Sequence, residues 1–340
     1  MSRTQLNGRK ILVVGGAGYI GAHVCKAVAE AGGVPVTLDN LSSGHKHAVR
    51  WGPLDLVDLR DREATFAALA RHTDAHAVVH LASSIEVGIG EREPSGFWDN
   101  NVVGALNLLD AMRAAGLDRM IFSSTCATYG EGHAMPLRED SLQAPVSTYG
   151  QTKLAIEHML RGYRKAYGLT YLTLRYFNAS GADPSGEIGE QHDPETHLIP
   201  IALQAAAGRR ARMKIFGTDY PTQDGTCVRD YIHVSDIAQA HLDGLRAFDN
   251  GLESAELNIG TGHGLSNLQI LQTIERVTGH AVPYDPAPRR PGDLSELYAD
   301  AGSAEATIGF VARHSDIDHI IGTAWNFHQR VWAEEEADAA

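Results

Sequence analysis

Val14-Gly-Gly-Ala-Gly-Tyr-Ile-Gly21 is the stretch that decides the fold of this chain. It follows a short apolar run, Ile11–Val14, and opens a segment with helical spacing, Ile20–Ala31. Its glycines recur three residues apart, at Gly15, Gly18 and Gly21. This spacing permits a tight turn, a close backbone approach to a pyrophosphate and close helix–sheet packing. A plain strand-to-helix turn would also use glycines, so neighbouring signals have to distinguish the two.

Short apolar runs alternate with longer helix-patterned segments through the first half of the chain. They read as strands buried on both faces, as in parallel sheets: Ile11–Val14, Val34–Leu38, Ala77–Leu81, Met120–Phe122 and Tyr171–Leu174. The alternation predicts right-handed βαβ crossovers and an α/β fold, a Rossmann-type doubly wound parallel sheet.

The pattern changes after about residue 180. Gly181–Pro194 is rich in Gly, Pro and Asp and predicts a linker or a binding loop. We expect a dinucleotide-binding domain over residues 1–180, rejoined by about 230–262, and a smaller C-terminal α/β lobe for the other ligand over 181–335. The acidic tail, Ala333–Ala340, is expected to be frayed.

Composition narrows the class of protein. The net charge of −13, without a basic block, argues against nucleic acid and anionic membranes as partners. The N-terminus lacks the apolar core of a signal peptide, and no apolar run approaches membrane-spanning length. Three widely separated cysteines indicate a reduced, cytoplasmic protein. The seventeen histidines show no known metal-binding spacing, so no metal site is predicted.

Acidic residues after the second and third strands favour a particular dinucleotide. Asp39, followed by Asn40, stands where a carboxylate accepts the adenosine ribose hydroxyls, and it would repel the extra phosphate of NADP. NAD is therefore the predicted cofactor. Asp58 and Leu59 suit the adenine edge, although a turn would use an aspartate as well.

Tyr149 and Lys153 are spaced to share one face of a helix. A tyrosine is a poor base at its ordinary pKa of about 10, but a neighbouring ammonium favours the phenolate. Tyr149 could then accept a proton from an alcohol while a hydride leaves the same carbon. The alternative is an ordinary surface pair, which the glycine turn makes less favoured.

These motifs and others resemble the extended short-chain dehydrogenase/reductase family, and within it the UDP-hexose 4-epimerases, over nearly the whole chain. The more specific matches are Gly217–Pro221, Asp224–Thr226, Val228–His233 and Ala287–Asp293, beside Asn100-Asn101, Phe122–Ser124 and Arg175–Asn178. The resemblance implies an isomerase that retains NAD and reversibly epimerises C4 of a UDP-hexose, either UDP-glucose and UDP-galactose or their N-acetylated pair, through a 4-keto sugar.

The resemblance also implies roles for matching residues. Tyr149 would be the base and then the acid, Lys153 its tuner, and Thr125 the hydroxyl that bonds the C4 oxygen. The NAD-binding set is Gly15, Gly18, Tyr19, Ile20, Gly21, Asp39, Asn40, Ser43, Gly44, Asp58, Leu59, Leu81, Ala82, Ser83, Ile85, Asn100, Ser123, Tyr149, Lys153 and Phe177. The substrate set is Ser124, Thr125, Tyr149, Asn178, His197, Leu198, Lys214, Ile215, Phe216, Arg229, Arg290, Asp293 and Leu297. Guanidinium groups suit a diphosphate, although surface arginines also serve solubility.

Three positions depart from the family pattern. Ile85 stands where many members have a lysine near the cofactor phosphates, so NAD retention would be weaker unless another group substitutes. His197 replaces an asparagine that often bonds the substrate phosphate, and a histidine can still donate there. Leu297 replaces a bulky tyrosine found in some members, which would leave room for an N-acetyl group.

Ser123, Ser124 and Thr125 end a strand and are expected to face the nicotinamide and the sugar C4. Cys126 and Ala127 follow them, where a 4,6-dehydratase would carry an Asp–Glu pair for the elimination of water. A decarboxylase of the same family would commonly have a glutamate after the hydroxyl residue, which is missing here. A non-catalytic NAD-sensing protein would not need Tyr149 and Lys153.

The family resemblance implies a homodimer through two helices, and their apolar residues suit such a contact. Val102, Val103, Leu106, Leu109 and Met112, with Leu154, Ile156, Met159 and Leu160, cover more than one helical face. A helix that is apolar on two sides can pack on its own sheet and on a partner.

Overall fold

The computed structural model describes residues 5–290 and 293–338. Pro291 and Gly292, which belong to the quoted stretch Ala287–Asp293, lie outside the described residues, as do residues 1–4 and the last two residues of the acidic tail.

Fourteen strands are described. They are β1 (Lys10–Val14), β2 (Val34–Asp39), β3 (Leu54–Leu56), β4 (Ala77–His80), β5 (Arg119–Thr125), β6 (Thr170–Tyr176), β7 (Asn178–Ser180), β8 (Met213–Phe216), β9 (Val228–Arg229), β10 (Tyr231–His233), β11 (Ser254–Ile259), β12 (Leu265–Ser266), β13 (Tyr284–Ala287) and β14 (Glu296–Leu297).

Eleven α-helices are described. They are α1 (Tyr19–Glu30), α2 (Arg62–Ala70), α3 (Val87–Gly90), α4 (Pro94–Phe97), α5 (Gly104–Ala115), α6 (Thr148–Tyr167), α7 (Leu198–Ala206), α8 (Val234–Asp249), α9 (Asn267–Thr278), α10 (Gly302–Ile308) and α11 (Ile317–Asp338). A π-helical segment, Trp98–Val103, leads into α5, and short 3-10 turns occupy Lys46–Ala48 and Cys126–Thr128.

Seven strands form the central sheet in the order β11-β6-β5-β4-β1-β2-β3, and every pairing is parallel. The strand order reverses direction between β1 and β4, which is the switch point where doubly wound folds bind their ligands. The predicted Rossmann-type fold is therefore confirmed.

Alternation along β1 shows how the sheet is covered on both sides. Ile11 and Val13 pack with α1, α8 and α10, whereas Leu12 and Val14 pack with α2, α5 and α6. Successive strand residues point to opposite faces, so a run of consecutive apolar residues is what a two-sided core requires. The apolar runs in the sequence carried this information without any partner strand.

The second lobe has its own apolar core around α7, α9 and α11, with the parallel pair β8–β13 at its edge. β11 returns from this part of the chain to the central sheet and pairs with β6 over its full length. The division of the chain at residue 180, with its assigned roles, stays a prediction.

Two local expectations differ from the structure. β5 continues beyond Phe122 to Thr125, because it keeps pairing with β6 up to Tyr176. The acidic tail is not frayed over its described part, since α11 extends to Asp338 and Arg209 bonds Glu335 and Glu336. None of the helices in the described residues is long and apolar enough to cross a membrane.

Candidate active site

A cavity of about 530 Å³ opens at the carboxyl ends of the central strands. Its lining includes every residue that the sequence predicted for the cofactor, from the glycine turn to Phe177. Parallel strands bring their carboxyl ends to one edge of the sheet, so distant motifs meet there. The carried-over roles of the individual residues stay predictions.

The three regularly spaced glycines between β1 and α1 differ in the room that they leave for a side chain. Gly15 and Gly21 have none, whereas Gly18 does. A Cβ on Gly15, whose φ is +84°, would lie 2.5 Å from the backbone nitrogen of Ala82. A Cβ on Gly21 would lie 2.0 Å from the carbonyl oxygen of Gly15. At Gly18 the nearest atom would be 3.5 Å away, an ordinary contact, and this residue faces the cavity. Gly15 and Gly21 therefore allow close packing of the backbone at this turn, and Gly18 leaves space in the adjoining part of the cavity.

The N-terminus of α1 suits an anion. Gly18 is its N-cap and provides no side chain to accept the first backbone amides, and the first turn carries no acidic residue. Unpaired amides and the helix dipole at such a terminus favour phosphate. The cradle around the glycines therefore fits the pyrophosphate of a dinucleotide.

Asp39 holds the glycine turn as well as facing the cavity. One carboxylate oxygen accepts from the backbone nitrogen of Ala17 at 3.0 Å, and the other accepts from Leu41 at 2.8 Å. Each oxygen retains a free lone pair, so the carboxylate can still accept a ribose hydroxyl.

Asp58 is held by Asn40, which belongs to the predicted cofactor set, and by Arg60, which does not. Asn40 donates to it at 3.2 Å, and Arg60 donates to both of its oxygens, at distances of 2.6 to 3.2 Å. The hydrogen bonds from Arg60 keep the pKa of Asp58 well below its usual range.

Lys153 lies behind Tyr149 in a buried position. Its Nζ donates to the carbonyl oxygen of Ser123 at 2.8 Å and lies 5.7 Å from the centre of the Tyr149 ring. The side chain is 2% exposed, and burial lowers the pKa of Lys153 to about 7, while nearby Glu157 opposes the shift. The ammonium and the neutral amine are therefore both accessible near neutral pH.

Tyr149 differs from the expectation in one respect. Burial raises the pKa of the Tyr149 phenol well above its ordinary value, and the adjacent Thr125 hydroxyl only partly opposes that rise. Desolvation, which no local sequence pattern records, is the largest influence on this phenol. Burial therefore opposes the phenolate, and positive charge near the phenol would favour it.

The three hydroxyls at the end of β5 do not all point the same way, which corrects the sequence expectation. The Ser124 hydroxyl donates to Oε1 of Glu157 at 2.6 Å and is buried. Side chains alternate along a strand, so Ser123 and Thr125 lie on one side of β5 and Ser124 on the other. Although Ser124 contributes to the cavity lining, its proton is committed to α6.

A buried network of ion pairs lies beside the end of β5, and no sequence pattern predicted it. Arg175 on β6 is 1% exposed and donates to both oxygens of Glu157, at 3.0 and 2.7 Å. It also bonds the Tyr129 hydroxyl at 2.9 Å and Glu256 at 2.7 Å. The Arg175–Asn178 motif was noted, but neither its buried arginine nor Glu157 carried a local signal of pairing.

Only part of the predicted substrate set lines the cavity. Asn178, His197 and Leu198 do, together with the residues of β5 and Tyr149. The others do not line it: Lys214, Ile215, Phe216, Arg229, Arg290, Asp293 and Leu297.

The two predicted arginines of the second lobe meet at one carboxylate. Arg290 donates to Asp293 at 2.8 Å and lies over the Phe216 ring, 4.9 Å from its centre. Arg229 approaches the same carboxylate at 3.9 Å. Ile215, in contrast, is buried in the core of this lobe because inward and outward positions alternate along β8. Its side chain is therefore unsuited to the predicted substrate contact.

Leu297 connects this second cluster with the cavity. It packs in an apolar cluster with Cys126 and Phe177, and Phe177 lines the cavity. Backbone pairing of β14 with β9 places Leu297 opposite Arg229.

Positive charge is scarce around the cavity. Within the described residues, Lys153 is the only lysine or arginine in its lining, and Ile85 lies next to Glu86. No further lysine or arginine in this lining stands in for the lysine that Ile85 replaces, so the expectation of weaker NAD retention stays a prediction.

Together, the parallel sheet, the glycine cradle and the Tyr149–Lys153 pair define a dinucleotide-binding protein of the short-chain dehydrogenase type. Residues 11–260 match the NAD dependent epimerase/dehydratase family, and the chain belongs to that family. The predicted cofactor class, NAD, is confirmed by this membership.

The chain is similar to UDP-glucose 4-epimerases over nearly its full length. It is 48% identical to the UDP-glucose 4-epimerase of Rhizobium meliloti, over 96% of this chain and 98% of that protein. The structure matches that of UDP-glucose 4-epimerase from Brucella ovis in complex with NAD, with a TM-score of 0.91, 48% identity and coverage of 94% and 98%. It also matches the UDP-Glc/GlcNAc 4-epimerase of Campylobacter jejuni, with a TM-score of 0.83, 37% identity and coverage of 95% and 100%. The resemblance to UDP-hexose 4-epimerases is thus confirmed.

Proposed function

We propose that this chain reversibly inverts C4 of a UDP-hexose, interconverting UDP-glucose and UDP-galactose. The observation that carries the proposal is the convergence of Tyr149, Lys153 and Thr125 in one cavity with the glycine cradle. The similarity to UDP-glucose 4-epimerases along the whole chain supports the same reaction.

NAD, when bound, would supply the hydride acceptor and then the hydride donor at C4, together with positive charge that favours a phenolate. The chain would hold its pyrophosphate at the N-terminus of α1, its adenosine ribose at Asp39 and its nicotinamide end near Ser123 and Lys153. The open space beside Gly18, which a Cβ would begin to fill, supports the placement of the pyrophosphate at this helix terminus.

Tyr149 would move the proton. Its phenolate oxygen would accept the proton of the C4 hydroxyl and later return it to the C4 oxygen, so that no net proton or electron is consumed. Thr125 would orient that oxygen by hydrogen bonding, and Lys153, anchored on the carbonyl of Ser123, would stabilise the phenolate.

The end of β5 favours epimerisation over elimination. Cys126 is buried, and burial raises the pKa of its thiol to about 12, so the thiol stays protonated. Ala127 has no acid–base group, and its backbone nitrogen donates to Thr125 Oγ1 at 3.1 Å. Glu157, the acid next to this strand, is paired with Arg175. The dehydratase and decarboxylase alternatives therefore lack their second acid–base group at this strand end.

The test uses the full-length protein with UDP-galactose and follows UDP-glucose by NMR. We expect turnover in the wild type, and a loss of about 10² to 10⁴-fold in kcat for Tyr149→Phe. Thr125→Val should also lose activity, whereas Thr125→Ser should keep most of it because the hydroxyl remains. A folded wild type that holds NAD but turns over no UDP-hexose would instead favour the NAD-sensing alternative.

A second substrate pair is favoured by Leu297. We propose that UDP-N-acetylglucosamine and its C4 epimer are also accepted, because leucine is shorter than tyrosine at this position beside Phe177. The similarity to a UDP-Glc/GlcNAc 4-epimerase supports this reading. Leu297→Tyr should lose turnover of the N-acetylated pair and keep that of UDP-galactose. No turnover of UDP-N-acetylglucosamine by the wild type would contradict it.

We also propose a cytoplasmic homodimer that pairs through α5 and α6. The three free cysteines are all buried, which suits a reducing compartment such as the cytoplasm.

The proposed dimer contact is supported by exposed apolar residues. Val103 and Leu106 are exposed on the segment that contains α5, and exposed apolar side chains clustered on one helix favour a partner surface.

A further inference from the structure

We propose that Glu190, His192, Glu195 and His197 form a binding site for a divalent transition cation of the Zn²⁺ class at the edge of the cavity. One ligand atom from each residue lies within 4.8 Å of all the others. No other cluster of this kind was found in residues 5–290 and 293–338. The inference does not depend on the reaction proposed above.

The distances suit a four-coordinate ion. Nδ1 of His197 lies 2.8 Å from Glu190 Oε1 and 3.1 Å from Glu195 Oε1. Nδ1 of His192 lies 3.4 Å from Glu190 Oε1 and 3.7 Å from Glu195 Oε2. Ligands at about 2.0 Å in a tetrahedron are about 3.3 Å apart, so small side-chain adjustments would close the site around an ion.

His192 provides a separate indication of a ligand. Its Nδ1 is buried and has no hydrogen-bond partner among the described residues. Buried polar nitrogens are normally satisfied. It lies at ion-pair distance from both carboxylates without a hydrogen bond to either, so it is well placed to coordinate an ion that both carboxylates share.

A dication would also balance the charge of this cluster. The Glu190 and Glu195 side chains are 7% and 6% exposed, and in the described structure their ion-pair partners are only the two histidines. Burying two carboxylates is costly unless positive charge compensates them. Burial opposes the charge on the two histidines, but the neighbouring carboxylates raise the pKa of His192 to about 9 and that of His197 to about 10, so the protonated pair also balances the carboxylates. A divalent ion with two neutral imidazoles would cancel the charge of both carboxylates, and this mixed N/O donor set suits Zn²⁺ and its neighbours in the transition series.

The carboxylate of Glu195 is already oriented by the backbone. Its Oε1 accepts from the backbone nitrogens of Thr196 and His197, each at 2.8 Å. Such outer contacts fix metal ligands in place. The adjoining Gln191 is bonded through its carbonyl to His45 at 3.2 Å, so the loop is also anchored to the segment after β2.

A bound ion would cross-link the segment Gly181–Pro194, which the sequence predicted to be a linker or a binding loop, to Glu195 and His197 just beyond it. Glu190, His192 and His197 all line the cavity, so an ion that links them to Glu195 would fix one of its walls. Sequence spacing gave no metal prediction, because the ligands fit no known motif and meet only through the fold of the loop.

The test measures metal binding directly. Full-length protein, stripped with EDTA, is titrated with ZnCl₂ by calorimetry, and Co²⁺ is added separately to follow the visible absorption of a four-coordinate ion. We expect one equivalent of Zn²⁺ per chain and a rise in the unfolding temperature on binding. His192→Ala and Glu195→Gln should each weaken the affinity at least about tenfold.

His47→Ala is the matched control. His47 is exposed and contacts the same loop through Gln191 at 3.0 Å, but it does not belong to the cluster. Its affinity for Zn²⁺ should equal that of the wild type. Circular dichroism checks that each variant folds, and Glu195→Gln carries the test if His192→Ala does not. Absence of stoichiometric binding, or binding unchanged in the folded variants, would overturn the proposal.

Discussion

His241 illustrates how a single buried side chain couples the fold to pH. It is fully buried on α8, where Nδ1 lies 2.9 Å from the carbonyl oxygen of Ile237 and Nε2 lies 2.8 Å from the Tyr176 hydroxyl. The carbonyl requires a proton on Nδ1, so Nε2 accepts from the tyrosine. Tyr176 lines the cavity, and thus a neutral His241 holds one of its walls.

Acid should destabilise the protein partly through this residue. Burial lowers the pKa of His241 to about 4 from its ordinary 6.5. Between these values the unfolded chain binds more protons than the folded one, so the free energy of unfolding falls as pH falls through this window. One proton corresponds to about 1.4 kcal/mol per pH unit.

His241→Gln is expected to remove that contribution. A glutamine can keep the hydrogen bond to Tyr176 without titrating, so the slope of unfolding free energy against pH should be smaller by up to about 1.4 kcal/mol per unit between pH 6 and 4.5. Urea unfolding at a series of pH values measures it. The exposed His263→Gln serves as the control and should keep the wild-type slope. Equal slopes for His241→Gln and the wild type would contradict the assignment.

In the turn between β1 and α1, two glycines have different structural roles. Gly21 allows close packing of the backbone, and Gly18 leaves space in the cavity. Gly21→Ala would place a methyl group 2.0 Å from the Gly15 carbonyl oxygen, so strand and helix would have to move apart. Gly18→Ala meets no atom closer than 3.5 Å, and its backbone is extended, which alanine adopts easily.

We expect the two variants to fail differently. Gly21→Ala should lower the free energy of unfolding by about 3 kcal/mol or more, as overpacking against backbone does. Gly18→Ala should stay within about 1 kcal/mol of the wild type and yet retain less NAD, because its methyl group projects into the cavity. Urea unfolding and the NAD content of purified protein measure the two effects. Undiminished NAD retention in Gly18→Ala would contradict its placement under the cofactor.

In the whole molecule, the segment that contains α5 has apolar residues both in the core and on the surface. Leu109 and Met112 of α5 are buried against the sheet, whereas Leu106 and the preceding Val103 are about two-fifths exposed. Trp98 is exposed to a similar degree in the segment that leads into α5. An apolar surface of this kind is typical of a subunit contact.

Val103→Glu should convert a dimer into a monomer near 36.6 kDa, because a carboxylate in a dimer contact would be buried unpaired. Light scattering after size-exclusion chromatography measures the mass. Val311→Glu is a matched control, since Val311 and Val103 are each 42% exposed and Val311 lies on the loop between α10 and α11. A monomeric wild type, or a dimer that tolerates Val103→Glu, would contradict the proposed contact.

Local sequence patterns were enough to predict the fold and the cofactor side of the cavity. Alternating apolar runs, the glycine spacing and the four-residue step from Tyr149 to Lys153 are local patterns, and each states which face of an element is buried or which backbone can approach a ligand. Parallel strands then bring these motifs to one edge, so all the predicted cofactor residues line the same cavity.

The way in which groups distant in sequence share protons and charge depends on the three-dimensional fold. It turned Ser124 toward Glu157, paired Glu157 with Arg175, and buried Tyr149 deeply enough to raise its pKa. It also brought four loop ligands around one point. The physical reason is that desolvation and ion pairing depend on what surrounds a side chain in space, and no local pattern of residues records that.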